Sequence, residues 1–134
     1  MVPAVPTAVE VADRLYEFWN AEGLRAMSES VDPEIELISD PLRPEETALR
    51  GIEGWQQWVE RWEHGYEAMH VTPDVIVPLD DEHAVAFVSI TATPRGGHKQ
   101  LSWAAAHIWT VREGRIAKWE THLDFTASQS TLYD

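Results

Sequence analysis

Three features of the sequence predict an α+β domain in which N-terminal helices pack on one strongly curved, mixed or antiparallel sheet. Thr7 followed by Glu10 is a capping box. Ile52, Trp55, Trp58, Val59, Trp62 and Tyr66 recur at a helical period. Asp80-Asp81-Glu82, Arg95-Gly96-Gly97 and Arg112-Glu113-Gly114 are turn signals at nearly even spacing. Helices followed by a long meander is the order of an α+β fold.

Residues 1–7, with prolines at 3 and 6, read as a loose arm, residues 8–126 as one domain and residues 127–134 as a tail. The capping box starts a helix at Ala8, whose inner face is Ala8, Val11, Ala12, Leu15, Phe18 and Trp19, and Asn20 to Gly23 interrupts it. A short helical piece over Leu24 to Ser30 brings Leu24 and Met27 to the same core, and Asp32-Pro33 ends it. Glu34 to Ser39 alternates as a half-covered strand. The polar, proline-broken stretch after it is the longest loop and a candidate site rim. Gly51 and Gly54 mark the entrance of the aromatic helix. Four strand candidates, His70 to Pro78, Ala84 to Thr93, Gln100 to Val111 and Arg115 to Asp124, complete the sheet.

Composition removes several function classes. The chain has 134 residues, enough for one domain that buries roughly two thirds of its unfolded surface without metal or disulfide support. There is no cysteine, so thiolate catalysis, Cys-ligated zinc and iron–sulfur clusters are excluded. Twenty-three acidic against ten basic residues give a net charge of −13, which repels phosphate backbones and anionic lipid; neither nucleic acid nor a membrane surface is expected as a partner. No apolar run reaches membrane-spanning length, and the first residues lack the pattern of a secretion signal, so a cytoplasmic location is expected.

No nucleotide loop, zincin or nucleophile-elbow motif occurs. Candidate chemistry rests on single residues. Asp40 precedes Pro41 at the end of the first strand; a carboxylate among aromatic rings loses hydration and becomes a base near neutral pH, whereas a surface-turn cap is the plainer role. His107 lies mid-strand among alanines, where a neutral imidazole can relay a proton or orient a carbonyl, or simply fill a core or interface position. Strand parity groups it with Trp103, Ala105 and Trp109, opposite Ala104, Ala106, Ile108 and Thr110. One row faces the helices and the other is an outer surface, which as the Trp103 and Trp109 row would be a dimer patch.

In the last strand Trp119, Thr121 and Leu123 share one face unless a bulge intervenes, and Asp124 follows at the strand end as an acid–base candidate or a cap. Glu120 and His122 are expected at solvent or an interface. Of the seven tryptophans, Trp55, Trp58 and Trp62 read most simply as core. Trp19 and Trp119 are candidates for pocket walls. No His, Asp and Glu set has metal-ligand spacing, so no metal is expected.

The segments NAEGL, IELISDP, LRGIEGWQQWVERW and AAHIWTVREGRIAKWETHLD resemble the NTF2-like superfamily, and within it the SnoaL-like branch related to polyketide cyclases and ketosteroid isomerases, over roughly residues 8–126. The resemblance implies a cone-shaped fold. Asp40-Pro41 matches the base aspartate of the ketosteroid isomerases, whose oxyanion donors, a helix tyrosine and an aspartic acid, correspond to Leu15 and Ala106 here, with Tyr16 adjacent. Asp124 matches the acid–base aspartate of the SnoaL-like cyclases.

The expected function is a cofactor-independent acid–base enzyme of isomerase, cyclase or dehydratase type, acting on a small apolar cyclic or polyketide-like carbonyl compound. Asp124, Asp40 and His107 are its candidate catalytic residues; Trp19, Tyr16, Trp119 and Thr121 are its candidate substrate-binding residues. A homodimer through the outer sheet face is expected. The alternatives are a non-catalytic small-molecule binder and a protein-association module on the same fold.

Overall fold

The computed structural model describes residues 5–39, 48–97 and 99–123. Helix α1 spans Ala8–Glu22 and is followed by a 3-10 segment, Leu24–Ser30, and strand β1, Val31–Ile38. The two-residue strand β2, Leu49–Arg50, leads into helix α2, Gly51–Gly65. Strands β3 (Tyr66–Pro78), β4 (His83–Pro94), β5 (Leu101–Arg112) and β6 (Arg115–Leu123) follow. They form one six-stranded sheet in the order β2-β1-β6-β5-β4-β3. The four long strands pair antiparallel as a meander, and β1 lies parallel to β6. The sheet is therefore mixed, and α1 packs on β3, β4 and β5 while α2 packs on β1, β2 and β3, both on one face.

Helix α1 begins at the expected cap: the Glu10 amide donates to Thr7 Oγ1 at 3.3 Å, but the Glu10 carboxylate accepts from the Thr7 hydroxyl at 3.2 Å in place of the Thr7 amide that a full capping box would use. Its buried arc is Ala8, Val11, Ala12, Leu15, Tyr16 and Trp19. Phe18 does not belong to it, being 42% exposed; the arc is rotated toward Tyr16, which the sheet covers. Nor does Asn20 interrupt the helix. Its side chain donates to the Val71 carbonyl at 2.6 Å and accepts from the Val71 amide at 2.8 Å, fixing the helix end to β3 as a strand neighbour would.

Helix α2 buries Trp55, Trp58 and Val59, while Ile52 in its first turn remains exposed. Gly54 sits where a Cβ would stand 2.9 Å from the Leu49 carbonyl carbon, so the absence of a side chain lets α2 close on β2. The β5–β6 turn is a two-residue loop in which Glu113 and Gly114 both have positive φ, 53° and 78°, the geometry that matches hairpin twist. A register shift at Thr110/Val111 leaves Ala117 as an extra residue between Ile116, which pairs with Val111 in the core, and Lys118, which pairs with Thr110; Ala117 is buried as well, and alternation resumes from Lys118 onward.

Parity along β5 is resolved by burial. Ala105, His107, Trp109 and Val111 are buried against the helices, with Trp103 partly buried in the same row; Ala104, Ala106, Ile108 and Thr110 form the outer row. The aromatic row is thus internal, and the outer face carries no tryptophan from β5.

Candidate functional site

His107 is the one buried polar residue among the described ones, at 2% exposure. Helix α1 aims Tyr16 at it across the interior. Tyr16 Oη lies 2.7 Å from His107 Nδ1, and the Trp109 indole Nε1 donates to Tyr16 Oη at 2.9 Å. An indole N–H can only donate, so the tyrosine oxygen accepts from Trp109; its own hydrogen has no acceptor among the described residues other than His107 Nδ1, which assigns it there. The imidazole proton then sits on Nε2, which becomes the ring's donor atom.

Burial sets the charge states of this chain of groups. It lowers the His107 pKa to about 3, because an imidazolium would be stranded from water, and the ring is neutral at physiological pH. Burial raises the Tyr16 phenol well above its ordinary range, a shift the Trp109 hydrogen bond only partly offsets. The result is a neutral, preoriented relay from Trp109 through Tyr16 to His107.

Aromatic rings enclose the relay. His107 stacks on Tyr16 at 5.9 Å and on Trp19 at 6.5 Å between ring centroids, and meets Trp119 edge-on at 5.4 Å. Thr121 is the cross-strand partner of His107 on β6. Its hydroxyl is buried and has no hydrogen-bond partner, as are the indole N–H groups of Trp58, Trp62 and Trp119. A buried donor left unpaired costs about 1–3 kcal/mol, so these groups mark places where the interior is incomplete by itself. A cavity of about 150 Å³ between the end of α1, the end of α2 and the start of β3 is lined by Trp19, Trp62, Tyr66 and Met69 among others.

His107, Tyr16, Trp19, Trp119 and Thr121, all singled out from the sequence, are therefore gathered around one imidazole. Asp40 and Asp124 lie outside the described residues. The strands that precede them, β1 and β6, run parallel and adjacent, pairing Ile38 with Glu120, so both strands end at the same end of the sheet. Glu120 and His122 are half-buried on the opposite face from Trp119. Trp109, the donor to Tyr16, carried a readable signal in its shared parity with His107. Trp58 and Trp62, read as core, line the same interior with unpaired donors. Among the described residues no group of three potential metal ligands occurs, and no helix is long and apolar enough to cross a membrane.

The sequence profile of the SnoaL-like domain matches residues 12–119, a span that includes most of α1, all of α2 and nearly the whole sheet. The chain belongs to the SnoaL-like domain family. Solved structures agree with this SnoaL-like fold. An NTF2-like protein of unknown function from Burkholderia pseudomallei K96243 superposes with a TM-score of 0.74 at 15% identity, over 95% of this chain and 98% of that one. A protein provisionally assigned as a SnoaL-like polyketide cyclase from Jannaschia sp. CCS1 gives 0.74 at 17% identity over 98% and 96%. A protein with a ketosteroid isomerase-like fold from Catenulispora acidiphila, in complex with trimethylamine, gives 0.74 at 14% identity over 93% of each chain. At such identities the likeness establishes the fold, which carries enzymes and binders alike. No curated protein matches the sequence.

Proposed function

We propose that this SnoaL-like domain is a cofactor-independent acid–base enzyme acting on a small apolar cyclic or polyketide-like carbonyl compound. The observation that carries the reading is the buried relay Trp109 to Tyr16 to His107, which leaves a neutral imidazole with its proton on Nε2. A donor fixed in a water-poor interior stabilises charge that develops on a carbonyl oxygen far better than water does, since it needs no reorganisation. A neutral imidazole can fill this role, since its one N–H donates to the oxygen while the ring keeps its proton.

In the proposed step a carboxylate takes the proton α to the substrate carbonyl. The C–H electron pair forms the C=C bond of an enolate, and the enolate oxygen accepts a hydrogen bond from His107 Nε2. Return of the proton to another carbon gives isomerisation; attack of the enolate carbon on a second carbonyl gives ring closure. Asp124 is the preferred base and Asp40 the second, on the sequence matches described above. Trp19, Trp119 and Thr121 form the apolar wall and its polar break, and Tyr16 is a positioning residue acting through His107.

Thermal-shift screening with cyclic ketones and polyketide fragments, followed by turnover of the parent, D124N, D40N and H107A proteins, tests the reading. Loss of turnover in D124N or D40N together with H107A supports it. Ligand binding without turnover in the parent protein moves the function to a non-catalytic binder. The same proposal has the protein acting in the cytoplasm as a homodimer joined through the outer sheet face.

A further inference from the structure

The cavity of about 150 Å³ at the end of α1 has a chemistry of its own. Trp19, Trp62 and Tyr66 give it three aromatic walls, Met69 adds a polarisable thioether, and Glu63 and Glu67 are its charged lining residues. Trp19 and Trp62 meet at 6.1 Å between centroids with their planes inclined at 66°, and Tyr66 stacks on Trp62 at 5.6 Å. Two rings inclined in this way enclose a wedge whose sides are ring faces. His107 is not in the lining; Trp19, which stacks on it at 6.5 Å, is the wall the two regions share.

The start of β3 brings the carboxylate to the rings. Four successive residues, Tyr66 to Met69, border the cavity, which regular strand alternation would not allow. Pairing with β4 explains it: Tyr66 is opposite Pro94 and Ala68 is opposite Thr93, so Glu67 is the extra residue of a bulge. The two acids then differ in what they have left to offer. Glu63 is committed, because Arg25 on the 3-10 segment donates to its carboxylate from two nitrogens, at 3.0 and 2.6 Å, and Arg95 Nε donates to its carbonyl at 2.8 Å. Glu67 is exposed and has neither a hydrogen bond nor an ion pair to any described residue.

We propose that this cavity is a binding site for a small N-methylated ammonium ion, seated against Trp19, Trp62 and Tyr66 with Glu67 as its counter-charge. A cation is attracted to the faces of aromatic rings, and most strongly to those of tryptophan. Methyl groups suit the apolar walls, whereas each N–H of a primary ammonium or a guanidinium needs an acceptor that those walls do not supply. A metal ion requires several oxygen ligands, and no group of three potential ligands occurs among the described residues. An anion meets an uncommitted carboxylate in a chain of net charge −13, which instead draws cations. The inference stands apart from the acid–base reading, since it uses neither Asp40, Asp124 nor the His107 donor.

The probe is choline, and its comparator is 3,3-dimethylbutan-1-ol, which has the same shape with carbon in place of the cationic nitrogen. Binding is followed by the methyl proton resonance of each probe, which aromatic ring currents move upfield. Choline is expected to bind at least about tenfold more tightly than the alcohol, and W62L to lose about tenfold of that affinity. E67Q, at an exposed side chain where the fold has little at stake, is expected to weaken choline about threefold, and E67K further, with parent binding falling as salt rises. Equal binding of the two probes, an unmoved choline methyl resonance, or parent-like choline affinity in both W62L and E67K overturns the proposal. Choline binding without turnover of any ketone leaves this site standing and removes only the catalytic reading; ketone turnover without choline binding removes only this site.

Discussion

Tyr16 Oη and His107 Nδ1, 91 positions apart in the chain, meet at 2.7 Å, and the Trp109 indole completes the line at 2.9 Å. One hydroxyl thus serves as acceptor for one ring and donor for another. Removing it in Y16F strands both partners, and the unfolding free energy in urea is expected to fall by about 1–3 kcal/mol. W109F should be non-additive with it, because the two substitutions delete the same bond. Unchanged stability in Y16F, or simple additivity of the pair, would mean that the relay contributes nothing to the fold.

The same pair bounds the pH range of stability. His107 titrates near 3 when folded against its ordinary 6.5, so as pH falls below about 6.5 the unfolded chain takes up a proton that the folded protein refuses. Stability is full above that value and declines toward pH 3, with a slope from this residue of at most about 1.4 kcal/mol per pH unit. Tyr16 acts at the other end: its folded pKa is raised, so stability is full below its ordinary 10.0 and falls above it as the unfolded phenol ionises. Urea unfolding of the parent and of H107Q between pH 5 and 8 isolates the acid limb. Equal pH slopes for the two proteins would contradict a neutral buried His107.

How far the sequence reveals this architecture depends on the range of the interactions involved. The α1 cap, the Trp-rich helix and the three turns rest on contacts within a few residues, and the elements they announce occur, except that Tyr66, read on the helix, already belongs to β3, which begins there and not at His70 because its pairing with β4 starts at Tyr66 with Pro94. The parallel β1–β6 pair joins segments about 80 positions apart, such as Ile38 with Glu120, and no local pattern encodes it. Individual site residues were legible for the same reason: His107 stands out among alanines, and Thr121 follows Trp119 by strand parity. Which row of β5 faces inward was not legible, since both rows are apolar and packing against α1 decides it. The partner of Tyr16 was likewise invisible, because the distance between α1 and β5 is set by the whole sheet. Ala117 shows the limit of parity itself, as the register shift beside it buries two successive residues.

Gly54 and Gly65 lie in one helix and should respond oppositely to alanine. At Gly54 the new methyl would stand 2.9 Å from the Leu49 carbonyl carbon and 3.1 Å from its Cβ, so α2 must move off β2. A loss of about 1–3 kcal/mol is expected. At Gly65 nothing lies within 4 Å of such a methyl, and the lower backbone entropy of the unfolded chain favours alanine by up to about 1 kcal/mol. Chemical denaturation of G54A and G65A checks the contrast, and a G54A protein as stable as the parent would show that the α2–β2 approach is not tight.

Asp124 and Asp40 should also separate. Asparagine keeps the volume of the side chain and removes its capacity to accept a proton, so neutralising the true base lowers turnover by roughly 10²–10⁴ with modest change in substrate binding. The other aspartate, if it caps a turn, should cost about 1 kcal/mol when replaced by alanine and leave turnover near the parent value. Melting and steady-state rates of D124N, D40N and the two alanine variants decide between the roles. Asp124 is expected to be the base, because it follows the strand that pairs Thr121 with His107. Parent-like turnover in both asparagine variants would eliminate carboxylate catalysis by either residue.

The outer sheet face makes the last prediction. Ala84, Ala86, Val88, Ile90 and Ala92 of β4 are buried on the inner face, so Val85 and Phe87 project outward. Val75 pairs with Phe87 and Val77 with Val85, while on the other side Phe87 faces Ala106 and Val85 faces Ile108. Paired residues share a face, and this one is therefore a continuous apolar strip crossing three strands. Phe87 is 48% exposed, Val75 49% and Val77 39%. Small side chains at Ala104 and Ala106 leave a depression of about 280 Å³ beside Phe87, with Asp74 and His122 at its edge. A strip of this kind is expected to be covered by a second copy of the chain in a self-complementary contact, with each Phe87 set against the shallow alanine surface of the other copy. Sedimentation equilibrium at micromolar concentration is expected to give twice the 15.2 kDa chain mass. F87E should return the single-chain mass while leaving interior tryptophan fluorescence unchanged, since the ring it replaces is on the opposite face from His107. A parent protein that sediments as one chain would reject the dimer without touching the proposal for the interior.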